Sequence, residues 1–402
     1  MQALTYHGPE DVRVEERPRP GIVGEQDAIL RVTTSGLCGS DLHLYHGDIP
    51  DTREGDVFGH EFVGIIEEVG PGVRAVRPGD RVVVSGAIAD GTCRFCRRGE
   101  FSFCDGTNPN PVMIELYGQA TAGIFGYSHL TGGFDGGQAE FVRVPFADVN
   151  CMHLPADVSD EAGVLLADNF CTGWHATVCA DVQPGDTVAV FGCGPVGLLA
   201  MESCRLRGAS EIFAIDRYPY RLEMARLRFG ATIINYDEDD PVKTLREITY
   251  GYGPDACIDA TGFRYSRTLR HRLQRKLKLE TDAIDALSDA IRAVRKGGRV
   301  APIGDYIGLA NQFPVGAMME KGVTVRGSQV HVQRYWRDLL ERIRAGETDP
   351  TFVISHKTPL ELAREAYRAF DRKRDGVFKI VFDVTAAAPS RREQVGALEA
   401  RV

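Results

Sequence analysis

The sequence lacks any uninterrupted apolar run long enough to cross a bilayer, which argues against membrane-spanning helices. It also lacks an excess of basic residues, because 47 Lys and Arg stand against 56 Asp and Glu, a net charge of -9. That balance argues against nucleic acid or an anionic membrane as the main partner. Residues 1–20 are rich in charge and have no apolar core, so we expect no secretory signal and a cytoplasmic location.

The chain is long, and it contains many cysteines. Its 402 residues can bury a large core and suggest two or three domains. In the cytoplasm its ten cysteines should be reduced thiols. Close groups of cysteines therefore indicate metal binding or catalysis rather than disulfides.

The stretch 36–43 combines a thiol, a hydroxyl, a carboxylate and an imidazole between Cys38 and His43. We interpret Cys38 as a ligand of a catalytic zinc, and Ser40 and His43 as groups that carry a proton away from it. A thiolate suits zinc, and a catalytic zinc usually has three protein ligands and one open position. A lone cysteine in a glycine-rich turn is more often a small buried apolar residue, so the interpretation depends on further ligands.

Short apolar segments separated by turns dominate the first part of the chain. Residues 28–33, 65–69 and 81–84 are typical of strands, and their close spacing predicts a barrel-like β domain. Residues 105–137 are rich in glycine and Asn-Pro pairs and are predicted to form a long loop. That loop either lines the substrate cleft or covers the cofactor; the alternative is a surface loop with no role in binding.

The second half has the pattern of a dinucleotide-binding unit. A buried-type strand at 187–191 runs into G-x-G-x-x-G at 192–197 and a helical stretch, and a second strand ends at Asp216. Asp216 should bond the ribose 2′-hydroxyl and repel a 2′-phosphate, which favours NAD over NADP, although Arg217 weakens this exclusion. Further strands at 256–262, 298–304 and 323–327 predict a doubly wound α/β sheet. The predicted cofactor site comprises Gly192, Gly194, Pro195, Val196, Gly197, Asp216 and Arg217.

The run Gly59-His60-Glu61, with Gly64, Gly70 and Val73 at fixed spacings, resembles the zinc signature of medium-chain zinc-dependent alcohol dehydrogenases. Residues 36–41 resemble the first ligand motif of the same family, and the resemblance extends to about residue 385. It implies a GroES-like β-rich catalytic domain joined to a Rossmann domain, with the active site in the cleft between them.

The resemblance also implies the remaining ligands of the catalytic zinc. His60 is the second ligand, and the third stands four residues before a Thr-Gly-aromatic run, which here begins at Thr172. Asp168 takes that place, as in the formaldehyde-dehydrogenase-like branch, and Thr172 is assigned to the cofactor site. Cys171 competes with Asp168 by chemistry but not by spacing, and Asp168 as a satisfied polar core residue is the alternative.

A second metal site is indicated by the pattern D-x2-C-x2-C-x7-C. Such a lobe can wrap a tetrahedral zinc, and the family usually carries four cysteines in a similar lobe. Here Asp90 stands where the first cysteine would be, and the alternative is a loop with leftover cysteines. We therefore predict two zinc ions per chain, the second a structural zinc held by Asp90, Cys93, Cys96 and Cys104.

The family resemblance assigns roles to the neighbours of the metal. Ser40 takes the hydroxyl proton and passes it through the ribose to His43, Asp41 orients His60, and Glu61 exchanges onto the metal. By analogy with a basic residue of the family, Lys379 is expected to contact the cofactor pyrophosphate.

The expected domains are residues 1–168, the first part of the GroES-like domain, 169–327, the Rossmann domain, and 328–385, a return to the first domain. Residues 386–402 are predicted to be a mobile tail. The basic stretch 264–278 is interpreted as a solvated helical insert rather than a patch for an anionic partner.

The predicted function is hydride transfer from an alcohol or aldehyde hydrate to NAD, with zinc as Lewis acid. The branch implied by Asp168 favours formaldehyde or a primary alcohol, and leaves open whether glutathione is needed. The alternatives are an aldehyde dismutase with tightly held NAD, a zinc-free reductase on the same fold, and a non-catalytic nucleotide-binding protein. A homo-oligomer, dimer or tetramer, is expected.

Overall fold

The computed structural model describes residues 1–264, 266, 281–373 and 376–385. The chain forms two compact units. Unit 1 contains Met1–Cys171 and the residues from Val330 onward, and unit 2 contains Thr172–Gln329. The predicted boundaries were 168/169 and 327/328; nearly all of the basic stretch 264–278 and all of the predicted tail 386–402 lie outside the described residues.

Unit 1 is built on a seven-stranded, mainly antiparallel sheet. Its strand order is β16-β17-β3-β4-β5-β9, and β8 pairs with β3. Two further pairs, β1 with β2 and β6 with β7, form separate two-stranded sheets. The strands are β1 Gln2–Gly8, β2 Asp11–Glu16, β3 Ala28–Leu37, β4 Phe62–Val69, β5 Arg81–Val84, β6 Ala87–Ile88, β7 Gly123–Ile124, β8 Phe141–Val144, β9 Cys151–His153, β16 Ile354–Pro359 and β17 Lys379–Asp383.

The core of this sheet is apolar, as alternation along its strands requires. Leu30, Val32, Phe62, Val82 and Val142 are all buried in one apolar cluster. The helices of unit 1 are α1 Asp41–Tyr45, α2 Pro111–Tyr117, α3 Ala147–Asn150, α4 Asp160–Leu166, α11 Val332–Arg344 and α12 Ala363–Arg372.

Helix α2 corrects the expectation that residues 105–137 are one loop. Asn110 caps the helix by accepting a hydrogen bond from the Val112 N–H at 2.8 Å, and Pro111 occupies the first helical position. Gly118 ends the helix in the left-handed conformation, with φ of 78°. The second Asn-Pro pair, Asn110-Pro111, starts a helix instead of continuing a loop.

Unit 2 is a six-stranded sheet whose pairs are all parallel, in the order β12-β11-β10-β13-β14-β15. This is the strand order of a doubly wound dinucleotide fold. The strands are β10 Thr187–Phe191, β11 Glu211–Asp216, β12 Thr232–Asn235, β13 Ala256–Asp259, β14 Arg299–Pro302 and β15 Thr324–Val325. The helices are α6 Pro195–Leu206, α7 Pro219–Phe229, α8 Pro241–Ile248, α9 Asp285–Ala293 and α10 Val315–Glu320, and α5 Asn169–Cys179 begins in unit 1 and continues into unit 2.

The central strands of unit 2 are near-continuous apolar runs because parallel strands are covered on both faces. Val188, Ala189 and Val190 have no exposed surface, and neither do Cys257 and Ile258 on the neighbouring strand. Among the described residues, no helix combines the length and apolar character needed for a bilayer crossing.

Candidate active site

Pairing between β3 and β4 brings the first two predicted ligands together. Cys38 directly follows β3, and His60 lies two residues before β4, which runs antiparallel to β3 with Ser35 opposite Phe62. The Gly36 N–H donates to the Glu61 carbonyl at 2.8 Å, so the pairing continues beyond the strand into the ligand segment. Ligands 22 residues apart in sequence are thus neighbours because of a strand register.

Asp168 reaches the same place from the junction of α4 and α5. The preceding residue is fixed, because the Gly86 N–H donates to the Ala167 carbonyl at 3.0 Å. Trp336 Nε1 donates to the Leu166 carbonyl at 2.9 Å, which ties the end of α4 to α11. The competitor Cys171 directs its thiol to the Leu166 carbonyl at 3.3 Å and is not part of the metal cluster.

Four candidate ligand atoms converge, one each from Cys38, His60, Glu61 and Asp168, and all lie within 4.8 Å of one another. His60 Nε2 is 3.9 Å from Asp168 Oδ2 and 4.0 Å from Glu61 Oε1. A thiolate, an imidazole and a carboxylate are the donor types that hold catalytic zinc, and largely buried acidic groups require a compensating cation. The residues present therefore fit a zinc ion.

Asp41 lies behind His60. Its Oδ1 is 3.3 Å from His60 Nδ1, and its Oδ2 accepts hydrogen bonds from the Cys38 N–H at 2.8 Å and the Gln138 amide at 3.2 Å. Burial opposes protonation of His60, but Asp41 and Cys38 outweigh it and raise the pKa of the imidazole well above its usual value. An orienting carboxylate of this kind leaves Nε2 for the metal.

Glu61 is fully buried and held from both sides. Its Oε2 pairs with the Lys379 ammonium, and its Oε1 accepts a hydrogen bond from the Asn169 amide at 2.6 Å. Burial opposes the charge on Lys379, but Glu61 and Cys38 raise the pKa of Lys379 above its usual value. The Lys379 side chain has no exposed surface, and its contact with the cofactor pyrophosphate stays a prediction.

Sequence reasoning missed Asn169 and Gln138. The Asn169 amide faces Asp168 Oδ2 at 3.3 Å and Cys38 Sγ at 3.7 Å in addition to Glu61. Gln138 donates to Asp41 and accepts a hydrogen bond from the Tyr367 hydroxyl at 2.8 Å. The only signal for Asn169 was its place directly after a predicted ligand, and nothing marked Gln138.

The two residues of the predicted proton relay lie one helical turn apart at α1. Ser40 is the residue before the helix, and its Oγ is 3.4 Å from His60 Nε2, so the hydroxyl borders the metal cluster. His43 lies within the helix, and 8% of it is exposed. Its role at the solvent end of a relay stays a prediction.

The second cluster comprises Asp90, Cys93, Cys96 and Cys104, whose ligand atoms also lie within 4.8 Å of one another. Cys93 Sγ and Cys96 Sγ are 3.5 Å apart, and Cys104 Sγ accepts from the Asp90 N–H at 3.3 Å. Burial opposes ionisation of Asp90, but N–H groups of Cys93 and Thr92 lower the pKa of its carboxyl below the usual value. Asp90 is thus an available carboxylate, and the set fits a tetrahedral zinc.

The glycine-rich loop of unit 2 has the geometry of a phosphate cradle. Gly192 follows β10 with φ of 91°, and Gly194 caps α6, whose first residue is Pro195. A Cβ on Gly197 would overlap the Gly192 carbonyl, so only glycine lets helix and loop approach this closely. Thr172 is buried in α5, beside Gly173, whose close approach to Leu199 packs α5 against α6.

Asp216 ends β11 next to this loop. Its Oδ2 accepts the Cys193 N–H at 2.7 Å, and its Oδ1 accepts the N–H groups of Arg217 at 2.6 Å and Tyr218 at 3.1 Å. Oδ2 accepts only one of these three hydrogen bonds and keeps a second lone pair, to which a ribose hydroxyl can donate. The loop and the acid therefore fit a dinucleotide.

Two family models match the chain. The alcohol dehydrogenase GroES-like domain matches residues 24–156, and the zinc-binding dehydrogenase model matches residues 195–274. A zinc-type alcohol dehydrogenase-like protein of Bacillus subtilis is 42% identical over 95% of this chain and 99% of its own. The chain belongs to the medium-chain zinc-dependent alcohol dehydrogenase family.

Two further comparisons agree with this membership. A zinc-type alcohol dehydrogenase-like protein of Schizosaccharomyces pombe is 39% identical over 96% of this chain and 91% of that protein. The structure of alcohol dehydrogenase TADH from Thermus sp. ATN1 superposes with a TM-score of 0.82 and 37% identity, covering 95% of this chain and 99% of that one. The predicted family and the fold class, a GroES-like domain with a Rossmann domain, are confirmed.

Replacing Asp168 with Ala should lower the zinc content of this dehydrogenase by one ion per chain, because only Cys38 and His60 remain in that cluster besides Glu61. Asp90→Ala should remove the other ion. Elemental analysis of the purified proteins measures both. Cys171→Ala is the matched control and should keep both ions, and an Asp168→Ala protein with wild-type zinc content would contradict the assignment.

Gly36→Ala should lower the Tm by several degrees, because a Cβ there would overlap Oε2 of Glu61 and separate it from Lys379. Breaking a buried ion pair costs about 3 kcal/mol or more. Gly39→Ala is the control, since no heavy atom lies within 4 Å of a Cβ at that position of the same motif. Thermal unfolding with equal losses in both variants would show that Gly36 has no special packing role.

Proposed function

We propose that this dehydrogenase oxidises a small alcohol, or the hydrate of a small aldehyde, with NAD as the hydride acceptor. The observation that carries the proposal is the convergence of Cys38, His60 and Asp168 at one cluster beside the Ser40 hydroxyl. A zinc-free reductase would not need these three metal ligands, and a protein that only binds nucleotide would not need them either. When bound there, a zinc ion would supply Lewis acidity to a substrate hydroxyl, and NAD in unit 2 would supply the hydride acceptor.

The residues of the chain have separable tasks in this proposal. Cys38, His60 and Asp168 hold the metal, and Asp41 holds the His60 ring so that Nε2 faces the cluster. Ser40 accepts the substrate hydroxyl proton, a task supported by its Oγ at the border of the cluster. The pairing of Glu61 with Lys379 and Asn169 holds this carboxylate beside the other ligand atoms, which supports the expected exchange of Glu61 onto the metal.

The substrate class is proposed on the third ligand. Asp168 rather than a cysteine in that position is the feature shared with the formaldehyde-dehydrogenase-like branch, so we propose formaldehyde hydrate and small primary alcohols as substrates. NAD rather than NADP is proposed because the Asp216 carboxylate stands where a 2′-phosphate would need a cation. A second, structural zinc at Asp90 and a cytoplasmic homo-oligomer complete the proposal.

Ser40→Ala should lower kcat for alcohol oxidation by about 100-fold or more, the usual contribution of a positioned proton acceptor. The assay follows NADH formation by the zinc-loaded protein with a panel of alcohols and formaldehyde. Zinc content and NAD affinity of the variant should equal those of wild type, so that the loss belongs to the proton transfer. Ser210→Ala, on the surface of unit 2, is the control.

A rate of Ser40→Ala within twofold of wild type would reject the role of that hydroxyl. No NADH with any alcohol or with formaldehyde, from protein of full zinc content, would reject the proposed function itself.

A further inference from the structure

The ends of two neighbouring strands bring together an unusual set of charges in unit 2. Strands β11 and β12 run parallel with Asp216 opposite Asn235, so the residues that follow each of them leave the same edge of the sheet. There Arg217 Nη2 lies 3.2 Å from Asp237 Oδ2. Arg217, the basic residue beside Asp216, is therefore already paired with an acid.

The position of Asp237 is fixed by a turn. Its N–H donates to Asn235 Oδ1 at 3.1 Å, and the Asn235 amide donates to Glu238 Oε1 at 2.7 Å. The N–H groups of Glu238 and Asp239 both donate to the Asn235 carbonyl, at 3.0 and 2.9 Å. The backbone of Asp237 is thus held at the strand end by local hydrogen bonds, which do not involve Arg217.

The other nearby guanidinium is directed elsewhere. Arg221 packs over the rings of Tyr218 and Tyr220, at 5.1 and 5.7 Å from their centroids, and its Nε donates to the Tyr220 hydroxyl at 3.1 Å. Its Nη1 lies 3.5 Å from where a Cβ on Gly194 would stand, so this charge faces the phosphate loop. Arg217 is the cation next in sequence to Asp216, and Asp237 occupies it.

We propose that Asp237 is a specificity-determining residue that excludes NADP from this dehydrogenase. With Asp216 and Asp237 negative and Arg217 positive, the group of three carries one net negative charge. A 2′-phosphate would meet that charge and a guanidinium already committed to a carboxylate, whereas a ribose hydroxyl of NAD needs only an acceptor. The proposal rests on the proposed function in one respect, that the glycine-rich loop binds a nicotinamide dinucleotide.

The expected effect concerns ligand selectivity more than stability. The two side chains of the pair are 46% and 47% exposed, so their mutual attraction adds little to folding. A phosphate carries up to two charges within a few ångströms of the pair, and removing one carboxylate there is expected to change its binding by about tenfold. Because exposed charges are screened, the effect should shrink as salt increases.

The test compares NAD and NADP with the full-length, zinc-loaded enzyme. Calorimetric titration gives Kd for each dinucleotide, and NADH or NADPH formation gives kcat/KM. Asp237→Asn should raise the preference for NADP relative to NAD by about tenfold, chiefly through the NADP affinity. Adding Arg217→Ala to Asp237→Asn should remove that gain, because the released guanidinium is the group that binds the phosphate.

Asp239→Asn is the matched control. It removes the same charge from the same turn, and no described residue forms a hydrogen bond or an ion pair with the Asp239 side chain. An NADP to NAD ratio within twofold of wild type in Asp237→Asn would overturn the proposal, and so would an equal gain in Asp239→Asn. Because Kd is measured without alcohol, protein that binds NAD but oxidises no substrate fails the proposed function while still testing Asp237. Binding of neither dinucleotide would overturn both.

Discussion

The arrangement of side chains at the candidate active site of unit 1 depends on the burial of negative charge. Cys38, Asp41, Glu61 and Asp168 place four acidic groups around one largely buried point. Such groups are stable in a protein interior only with cations or hydrogen-bond donors close by. The Lys379 ammonium compensates the charge of Glu61, and the His60 imidazole compensates that of Asp41. A metal ion would compensate the charge of Cys38 and Asp168.

Two amide side chains donate further hydrogen bonds to these acidic groups. The Asn169 amide nitrogen faces the carboxylates of Glu61 and Asp168 and the thiol of Cys38. Gln138 links Asp41 to the Tyr367 hydroxyl on α12. Residues from both ends of the chain thus fix the ligands, since β17 and α12 come from the C-terminal return. The return of the chain to unit 1 is part of the site and not only of the scaffold.

The sequence alone was enough for features with local rules. The glycines at 192, 194 and 197 follow a strand and open a helix, and the glycines around His60 keep fixed spacings. Lys379 shows where such rules fail: its partner Glu61 is 318 residues away, and only the pairing of β17 with β3 brings them together. Asn110 shows another limit, because one Asn-Pro pair serves a loop or a helix start equally well.

Anomalous diffraction from crystals of the purified protein at the zinc absorption edge tests the central claim most directly. The account predicts a strong peak about 2.3 Å from the Cys38 sulfur and about 2.0–2.2 Å from a His60 nitrogen and an Asp168 oxygen. No peak at that point would contradict it. A peak held by Glu61, with Asp168 turned away and Lys379 unpaired, would contradict it as well.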